Sequence, residues 1–387
     1  MSQKSGQNGK SEKGKHARKR LRVAAVVAVI TIGAVCLLWV GRLFHQRSAS
    51  ARLAAIEAAR AIPDEQNAAV IYDRLMTEYG QPSLPEGIVN NASHRAMFEP
   101  WLSKDNPQLA AWIKQQQGLI DGFLQAAKMT ECRFPIIGYP RQFPTRTDRL
   151  ATMRGWALLL VRAANNDIAE GRIESAIQKS LALLKLGGHL RQQPVVIENL
   201  AGIAFEALAL RPIRCFVLEG PCGQGHAEAI EAALPPVESD WDGYSSKMLQ
   251  VERLWGQTER RSLLEYVLSF WKNDELAIER VEELYLRLLA DRRGTHVIIA
   301  LRRYRDRTGK WPESLEEIRP SVPQDVLVDP SNGGAFVYRL SEDGFTLHSR
   351  GKNNIDEDGR RRGGADDWQI WPPYYRATAA KEKTPDR

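Results

Sequence analysis

The residues of this chain best suited to chemistry lie near its C-terminus, in a loop rich in acids and glycines. In the segment KNNIDEDGRRRGGADDWQIW, Asn354, Asp356 and Asp358 alternate and Gly359 follows them. Calcium takes about six to eight oxygen ligands from carboxylates and carbonyls that converge on a tight turn. The acids match the first half of such a loop, although the twelfth position of an EF-hand would be Ala365. We therefore predict a structural calcium site that is not an EF-hand.

Basic residues in the same loop support a second interpretation. Arg360, Arg361 and Arg362 follow the first acids and would compete with a cation for the carboxylates. The alternative to a calcium site is a solvated loop whose opposite charges neutralise one another.

A second group of acids, Glu238, Asp240 and Asp242, lies next to Trp241 in the segment VESDWDGY. Pairs of carboxylates hydrolyse glycosidic bonds, and clusters of acids also bind cations. Acids also commonly begin helices, where they meet the positive end of the helix dipole. A glycan-active hydrolase with carboxylates in the helical part of the chain is therefore the alternative function.

No familiar arrangement of catalytic residues occurs in the sequence. His189 follows two glycines without a serine, cysteine or acid at a recognisable spacing, so we expect a histidine at a helix end. Nucleotide-binding loops, zinc-protease motifs and the Gly-x-Ser-x-Gly elbow are absent. We predict no catalytic residue.

The cysteines do not form a recognisable framework. Cys36 belongs to an apolar N-terminal segment, which leaves Cys132, Cys215 and Cys222, an odd number. A turn at Gly220-Pro221 would allow a disulfide between Cys215 and Cys222, and two buried thiols at a helix end are the alternative. The spacing does not suggest a zinc site.

An apolar segment near the N-terminus predicts a membrane anchor. Residues 23–40, VAAVVAVITIGAVCLLWV, are uncharged and almost wholly apolar, and such a run covers roughly 27 Å as a helix. Residues 1–22 before it carry eight Lys or Arg and one acid, a bias typical of a cytoplasmic tail. We predict a transmembrane helix over 23–41, a single-pass location in a bacterial inner membrane and periplasmic main domains. A cleaved signal peptide and a buried core helix of a soluble protein are the alternatives.

The balance of charge argues against a nucleic-acid partner. The chain has 54 Lys and Arg against 47 Asp and Glu, and the N-terminal tail alone accounts for the excess of positive charge. A nucleic-acid-binding protein needs basic charge on its folded part. The tail is expected to meet anionic lipids instead, so the predicted partners include the membrane.

Helical periodicity dominates residues 42–293, which we predict to be an extracytoplasmic α-helical domain. The stretch GRIESAIQKSLALL is similar to one half of a tetratricopeptide unit, but no 34-residue recurrence follows, so it predicts an isolated helical hairpin. Gly187-Gly188 is the expected stop of its second helix. Pro235-Pro236 breaks the pattern, and two further helices are expected, over 245–272 and from 274 onward.

The character of the chain changes in residues 294–376. An amphipathic helix is expected to end at Gly309, because Pro312 prevents continuation. Two short strands follow around Phe336-Val337-Tyr338 and Phe345-Thr346-Leu347-His348, joined by a turn at Glu342-Asp343-Gly344. The predicted fold class is mainly α, a multi-helix domain followed by a small α+β domain with a short antiparallel sheet. Residues 377–387 are expected to be a disordered tail.

Several short motifs in this last region occur in a characteristic order. They are Ala300-Leu301, Tyr304, Gly309, Trp311-Pro312, Leu315, Asp329-Pro330, Tyr338 and Ser349-Arg350-Gly351. In this order they resemble the head of the major pseudopilin of type II secretion systems. The chain is similar to bacterial membrane-anchored proteins that carry a pseudopilin-like head behind a helical domain.

The resemblance implies that calcium binds in the loop after the second strand. The implied ligands are Ser349, Asn354, Asp356, Asp358, Asp366 and Asp367, together with backbone carbonyls. Asn353 stands where the family usually has Asp, a departure expected to weaken calcium affinity.

The chain also departs from the family in ways that bear on function. It lacks the Gly-Phe-Thr-Leu-x-Glu processing site, and a long helical region separates the apolar segment from the head. We therefore expect a protein that is not a processed filament subunit. The predicted function is that of a non-enzymatic interaction or assembly component of the cell envelope or secretion machinery, with envelope or secretion-type proteins as partners and calcium in a structural role.

Overall fold

The computed structural model describes residues 31–373 with gaps. The gaps are residues 32, 34, 38, 42, 44, 45, 86, 89, 90, 138–145, 238, 240, 259–273, 343 and 361–364. The predicted tails, 1–22 and 377–387, lie outside the described residues. The chain divides into two compact units: Met1–Ala58 with Glu252–Lys272, and Ala59–Val251 with Asn273–Arg387. The sites discussed below all lie within the second unit.

The second unit is built mainly from helices. Their bounds are α1 (Ala68–Tyr79), α2 (Asn91–Arg95), α3 (Pro107–Gln115), α4 (Gln117–Ala126), α5 (Arg146–Ala169), α6 (Ile173–Arg191), α7 (Val196–Glu219), α8 (Gln224–Ala233), α9 (Trp241–Thr258), which continues into the other unit, and α10 (Asp274–Thr308). Short 3₁₀ turns occur at Asp64–Gln66, Leu315–Ser321 and Gln324–Leu327.

Helices α5 and α6 form the predicted hairpin, but α6 does not stop where the glycines predict. It continues through Gly187-Gly188 to Arg191. A Cβ atom on Gly202 of α7 would lie 2.6 Å from the carbonyl oxygen of Gly187, so the two backbones touch at this crossing. Gly187 therefore permits a close helix–helix contact and does not end the helix.

The sheet follows α10 and contains three antiparallel strands in the order β1 (Val337–Ser341), β2 (Gly344–Ser349) and β3 (Trp368–Trp371). The hairpin of β1 and β2 matches the predicted strands, while Asp343 of the predicted turn lies outside the described residues. The acidic loop connects β2 to β3. The fold is mainly helical with a small antiparallel sheet, as the sequence predicts.

The sheet and the helices share one of the two hydrophobic cores. The first core lies among α1, α3–α7, α9 and the first part of α10, with Tyr72, Phe123 and Trp156 fully buried. In the second, Leu347 and Ile370 of the sheet pack with residues of α7, α8 and α10. The predicted boundary between the helical and α+β domains, at 293/294, falls inside α10.

The predicted membrane anchor is contradicted by the structure. In the described part of the chain, no helix combines the length and the apolar character that crossing a bilayer requires. Residues 23–30, 32, 34 and 38 of the predicted span lie outside the described residues. The transmembrane assignment is therefore wrong, and with it the single-pass inner-membrane localisation and the periplasmic placement of the main domains.

Candidate metal centre

The residues predicted to bind calcium lie at one end of the sheet. Ser349 ends β2 and pairs with Trp368, the first residue of β3. Asp367 directly precedes β3, so the antiparallel pairing brings the two ends of the acidic loop together. Ser349 and Asp367 are both 0 % exposed.

Four residues in the left-handed backbone region shape the loop between these ends. Their φ angles are 60° at Gly351, 57° at Asn354, 59° at Asp358 and 70° at Gly359. Asn and Asp tolerate this conformation better than other non-glycine residues. Gly359 is required for a second reason, because a Cβ atom there would lie 1.9 Å from Oε1 of Gln369. Asn354, which is exposed, is a turn residue of the loop.

The turns direct backbone N–H groups at two carboxylates. Oδ2 of Asp367 accepts hydrogen bonds from the N–H groups of Glu357 at 2.9 Å and Gly359 at 2.8 Å. Oδ2 of Asp366 likewise accepts from two backbone N–H groups, at 2.8 and 3.2 Å. The other oxygen of each carboxylate, Oδ1, is buried and accepts no hydrogen bond.

Glu357 completes a cluster of three acids. Glu357, Asp366 and Asp367 each place a carboxylate oxygen within 4.8 Å of the others. Oε2 of Glu357 accepts from the N–H of Asp366 at 2.9 Å, which ties the two halves of the loop together. Three carboxylates with two buried, unsatisfied oxygens form a donor set that fits a hard cation such as Ca²⁺.

Asp356 and Asp358 take another role. Arg339 of β1 donates to both carboxylates, to Oδ2 of Asp356 at 2.6 Å. His348 of β2 donates from Nε2 to Oδ1 of Asp356 at 3.0 Å, and the same nitrogen lies 3.7 Å from Oδ2 of Asp367. Both acids are therefore paired with side chains of the sheet.

The pKa shifts of the loop acids differ in direction between Asp367, in the cluster of three acids, and the acids paired with Arg339, Asp356 and Asp358. Burial raises the pKa of Asp367 above its ordinary value, against the effect of its backbone hydrogen bonds and of His348. Burial also acts on Asp356, but there the hydrogen bond from His348 and the charge of Arg339 prevail and lower the pKa. The hydrogen bond from Arg339 lowers the pKa of Asp358. Of these three acids, Asp367 is the one at which burial outweighs the hydrogen bonds and the nearby His348.

Ser349, which was predicted to bind calcium, instead hydrogen-bonds to Asp329 at the start of the loop. Its Oγ donates to Oδ1 of Asp329 at 3.0 Å. Asp329 is 0 % exposed and also accepts from the N–H of Arg350 at 3.1 Å and from Nδ2 of Asn332 at 2.7 Å. Asp329 therefore fastens the start of the loop to the turn before β1.

Sequence reasoning missed Glu357, His348 and Arg339. Glu357 is the middle residue of Asp-Glu-Asp. If side chains alternated in direction along this segment, Glu357 would point away from the side shared by Asp356 and Asp358. The left-handed backbone at Asp358 breaks that alternation. Of the three arginines predicted to compete for the acids, Arg360 has its Nη2 3.9 Å from Oδ2 of Asp358. Arg361 and Arg362 lie outside the described residues.

The other candidate residues do not converge on a site within the described part of the chain. Asp242 is exposed on α9, and Glu238 and Asp240 lie outside the described residues. His189 lies near the end of α6, as expected, and is 0 % exposed. Its Nε2 donates to the carbonyl of Met129 at 3.0 Å, and Nδ1 accepts from the hydroxyl of Tyr72 at 3.0 Å. Burial lowers the pKa of His189 to about 4, so the ring is neutral near pH 7.

The cysteines are not linked to one another. Cys132, Cys215 and Cys222 are buried free thiols, and Cys36 is an exposed one. Burial raises the pKa values of the Cys132 and Cys222 thiols, which makes both poor nucleophiles. Of the two alternatives for Cys215 and Cys222, the structure has the buried thiols.

Comparisons with known proteins give no match, whether to a protein-family model, to a curated protein or to a solved structure. The resemblance to the pseudopilin head therefore remains a prediction from short motifs.

Proposed function

We propose that this chain is a calcium-stabilised, non-enzymatic assembly protein, whose small sheet is held in its functional form by a cation at Glu357, Asp366 and Asp367. The observation that carries the proposal is the pair of buried carboxylate oxygens, Asp366 Oδ1 and Asp367 Oδ1, that accept no hydrogen bond within a cluster of three acids. Buried carboxylates of like charge repel one another unless a cation compensates them.

The chemistry of the donors favours calcium over other divalent metals. All three groups are carboxylates, which suit hard cations, whereas zinc and copper favour sites with nitrogen or sulfur ligands. Magnesium demands an octahedral shell and retains water, whereas calcium accepts irregular oxygen sets from a loop. His348, Asp356 and Asp367 also lie close together, but Arg339 already pairs with Asp356.

The position of the cluster supports a structural role. The three acids lie in the connection between β2 and β3, and Asp367, its last residue, is buried. A cation there would hold the loop against the strands, and its binding free energy would stabilise the folded state. The order of helix, hairpin, acidic loop and strand agrees with the pseudopilin resemblance, which supports secretion-type proteins as the partners.

The test of calcium binding uses the full-length chain. Calorimetric titration of chelator-treated protein with Ca²⁺ and with Mg²⁺ should show binding of Ca²⁺ that Asp367→Asn abolishes. Asp242→Asn, an exposed acid on α9, is the matched control and should bind calcium normally. Absence of calcium binding, or equal binding by Asp367→Asn, would overturn the proposal.

The assembly role has its own test. Purified type II secretion major pseudopilin should co-elute with this chain in size-exclusion chromatography in the presence of calcium. The control is the Asp367→Asn variant of this chain in the same calcium buffer. Removing calcium from the buffer would also affect the pseudopilin, whereas the variant removes only the site of this chain. Calcium binding without co-elution would retain the metal site and overturn the assignment of the partner.

The alternative hydrolase finds no support among the described residues. Asp242 is exposed on α9, and the other acids of its group lie outside the described residues.

A further inference from the structure

His348 of β2 directs its imidazole at two carboxylates of the acidic loop. Its Nε2 lies 3.0 Å from Oδ1 of Asp356 and 3.7 Å from Oδ2 of Asp367. The three side chains can each place a ligand atom within 4.8 Å of the others. Ligand atoms that bind zinc at about 2.0–2.2 Å lie roughly 3.0–3.6 Å from one another. The distances from the imidazole nitrogen to the two oxygens are therefore close to those in a metal coordination shell.

The strands bring the ring to this position. The pairing of β2 with β3 changes register between Leu347 and His348. Such bulges redirect a side chain and occur often beside functional sites. The His348 side chain is 2 % exposed, and its Nδ1 is buried without a hydrogen bond to any described residue. Each buried polar atom that lacks a partner costs free energy, so hydrogen bonding alone does not account for a histidine here.

Backbone N–H groups hold both carboxylates in place. Oδ2 of Asp367 accepts from two such groups, and Oδ1 of Asp356 accepts from the N–H of Asp358 at 3.1 Å. These donors carry no net charge, so they orient the oxygens without repelling a cation. Arg339 donates to the other oxygen of Asp356, Oδ2, which leaves Oδ1 directed to His348. Carboxylates that bind metals are commonly held by hydrogen bonds in this way.

The nitrogen ligand separates this group from the cluster of Glu357, Asp366 and Asp367. Imidazole suits zinc and its neighbours in the first transition row, whereas calcium takes oxygen ligands. Zinc sites with three protein ligands keep a further position for water or another small ligand. Asp356 lies at the surface of the molecule, so the group is open to solvent on its side.

We propose that His348, Asp356 and Asp367 bind a divalent transition-metal ion of the zinc type, at a second centre that shares Asp367 with the cluster of three acids. The metal takes the place of the proton that Nε2 donates to Asp356, and the neutral ring then carries its proton on Nδ1. The second centre does not require calcium, because His348 and Asp356 lie outside the cluster of three acids.

Two substitutions separate the second centre from the calcium site. His348→Gln removes the nitrogen ligand but retains a side-chain donor for Asp356. Glu357→Gln removes a ligand of the calcium site alone. His94→Gln is the matched control for His348→Gln, because His94 is an exposed histidine outside the acidic loop.

The experiment titrates chelator-treated, full-length protein with Zn²⁺ by calorimetry, in the absence of calcium. We expect His348→Gln to weaken zinc binding by at least about 100-fold, since loss of a group that merely supports a ligand already costs about 10–100-fold. His94→Gln and Glu357→Gln should bind zinc as the unaltered protein does. Thermal melting without metal shows whether His348→Gln is folded, and Asp356→Asn, at a surface position, should weaken zinc binding as well.

Cobalt reports the ligands directly. Co²⁺ should give visible absorption bands that His348→Gln removes, without the strong near-ultraviolet absorption of thiolate ligation, which would instead indicate cysteines. Absence of zinc binding, equal binding by His348→Gln and Asp356→Asn, or thiolate absorption would each overturn the proposal. Loss of zinc binding in Glu357→Gln to the same extent as in His348→Gln would place zinc in the cluster of three acids and would also overturn it. Zinc binding without calcium binding would retain this second centre and overturn the calcium site alone.

Discussion

Gly294 of α10 lies directly against Ile370 of β3: a Cβ atom on the glycine would be 2.6 Å from Cγ2 of the isoleucine. No backbone torsion explains this glycine, since it lies within a regular helix. Its role is to let a strand that follows the acidic loop pack onto the long helix. The sheet is therefore attached to the helical core at the strand that leads directly out of the candidate metal centre.

We expect Gly294→Ala to destabilise the protein by up to about 2 kcal/mol. Overpacking costs about 1–3 kcal/mol, and the better helix propensity of alanine returns roughly 1 kcal/mol. Urea denaturation of the full-length chain measures the change. Gly188→Ala is the control on α6, where a Cβ meets no atom within 4 Å, and should stabilise by about 0.5–1 kcal/mol. If both substitutions stabilise, Ile370 yields to the added methyl group and the proposed close attachment is wrong.

The identity of the ligands gives a second expectation. Glu357→Gln should weaken calcium binding by about tenfold or more, because the cluster loses one of its three charged donors. Asp358→Asn should change calcium affinity by only about twofold, since Arg339 holds that exposed carboxylate and surface pairs contribute about 0–1 kcal/mol. Calorimetric titration of the two variants distinguishes the ligand set of the structure from the alternating set that the sequence predicts. A larger loss for Asp358→Asn would favour the latter.

The buried histidine gives a dependence of stability on pH. The pKa of His189 is about 4 in the folded protein because of its burial, against an ordinary value of 6.5. The unfolded chain therefore takes up a proton near pH 6.5 while the folded chain does not. The stabilising contribution of neutral His189 is complete above pH 6.5 and is lost progressively between pH 6.5 and pH 4, by up to about 3 kcal/mol.

Urea denaturation at a series of pH values measures this contribution. His189→Gln should flatten the profile between pH 6.5 and pH 4, and the same substitution at the exposed His94 should leave the profile unchanged. An unaltered slope in His189→Gln would assign the acid sensitivity to other groups, such as the paired carboxylates of the acidic loop.

Much of the fold was predictable because its signals are local. Helical periodicity, the glycine after α10 and the turn before β2 all act within a few residues of the elements that they define. The stop at Gly187-Gly188 was wrong because its explanation is not local: Gly202 of the next helix fills the space above Gly187. Sequence alone shows a glycine and its neighbours, but not which backbone approaches it.

In the candidate site too, local features could be predicted from the sequence, and contacts between distant residues could not. Asp366 and Asp367 lie close to Glu357, because the pairing of β2 with β3 brings the two ends of the loop together, and their role as calcium ligands stays a prediction. Glu357 was missed because the strand-like alternation assumed for the loop does not hold: the backbone is left-handed at both Asn354 and Asp358. Arg339 lies on a different strand, and only the pairing of β1 with β2 places it beside Asp356 and Asp358.

The sign of one substitution should reverse with calcium. Burial raises the pKa of Asp367, so without a cation its ionised carboxylate costs stability at neutral pH, and that cost is relieved as the pH falls through the raised value. Asparagine has the same shape, and its carbonyl oxygen can accept the two N–H bonds that Oδ2 of Asp367 accepts. In chelator at pH 7, Asp367→Asn should therefore melt at or above the melting temperature of the unaltered protein.

With calcium at about 100 times its dissociation constant, binding adds about 2.7 kcal/mol to the free energy of unfolding of the unaltered protein alone, and the order of the two melting temperatures should invert. Thermal melting under the two conditions measures the reversal, and acidification should remove the calcium effect because the carboxylates must be ionised to bind the cation. If Asp367→Asn is the less stable protein in both conditions by the same amount, Asp367 acts through its hydrogen bonds to Glu357 and Gly359, and the cation contributes nothing at this site.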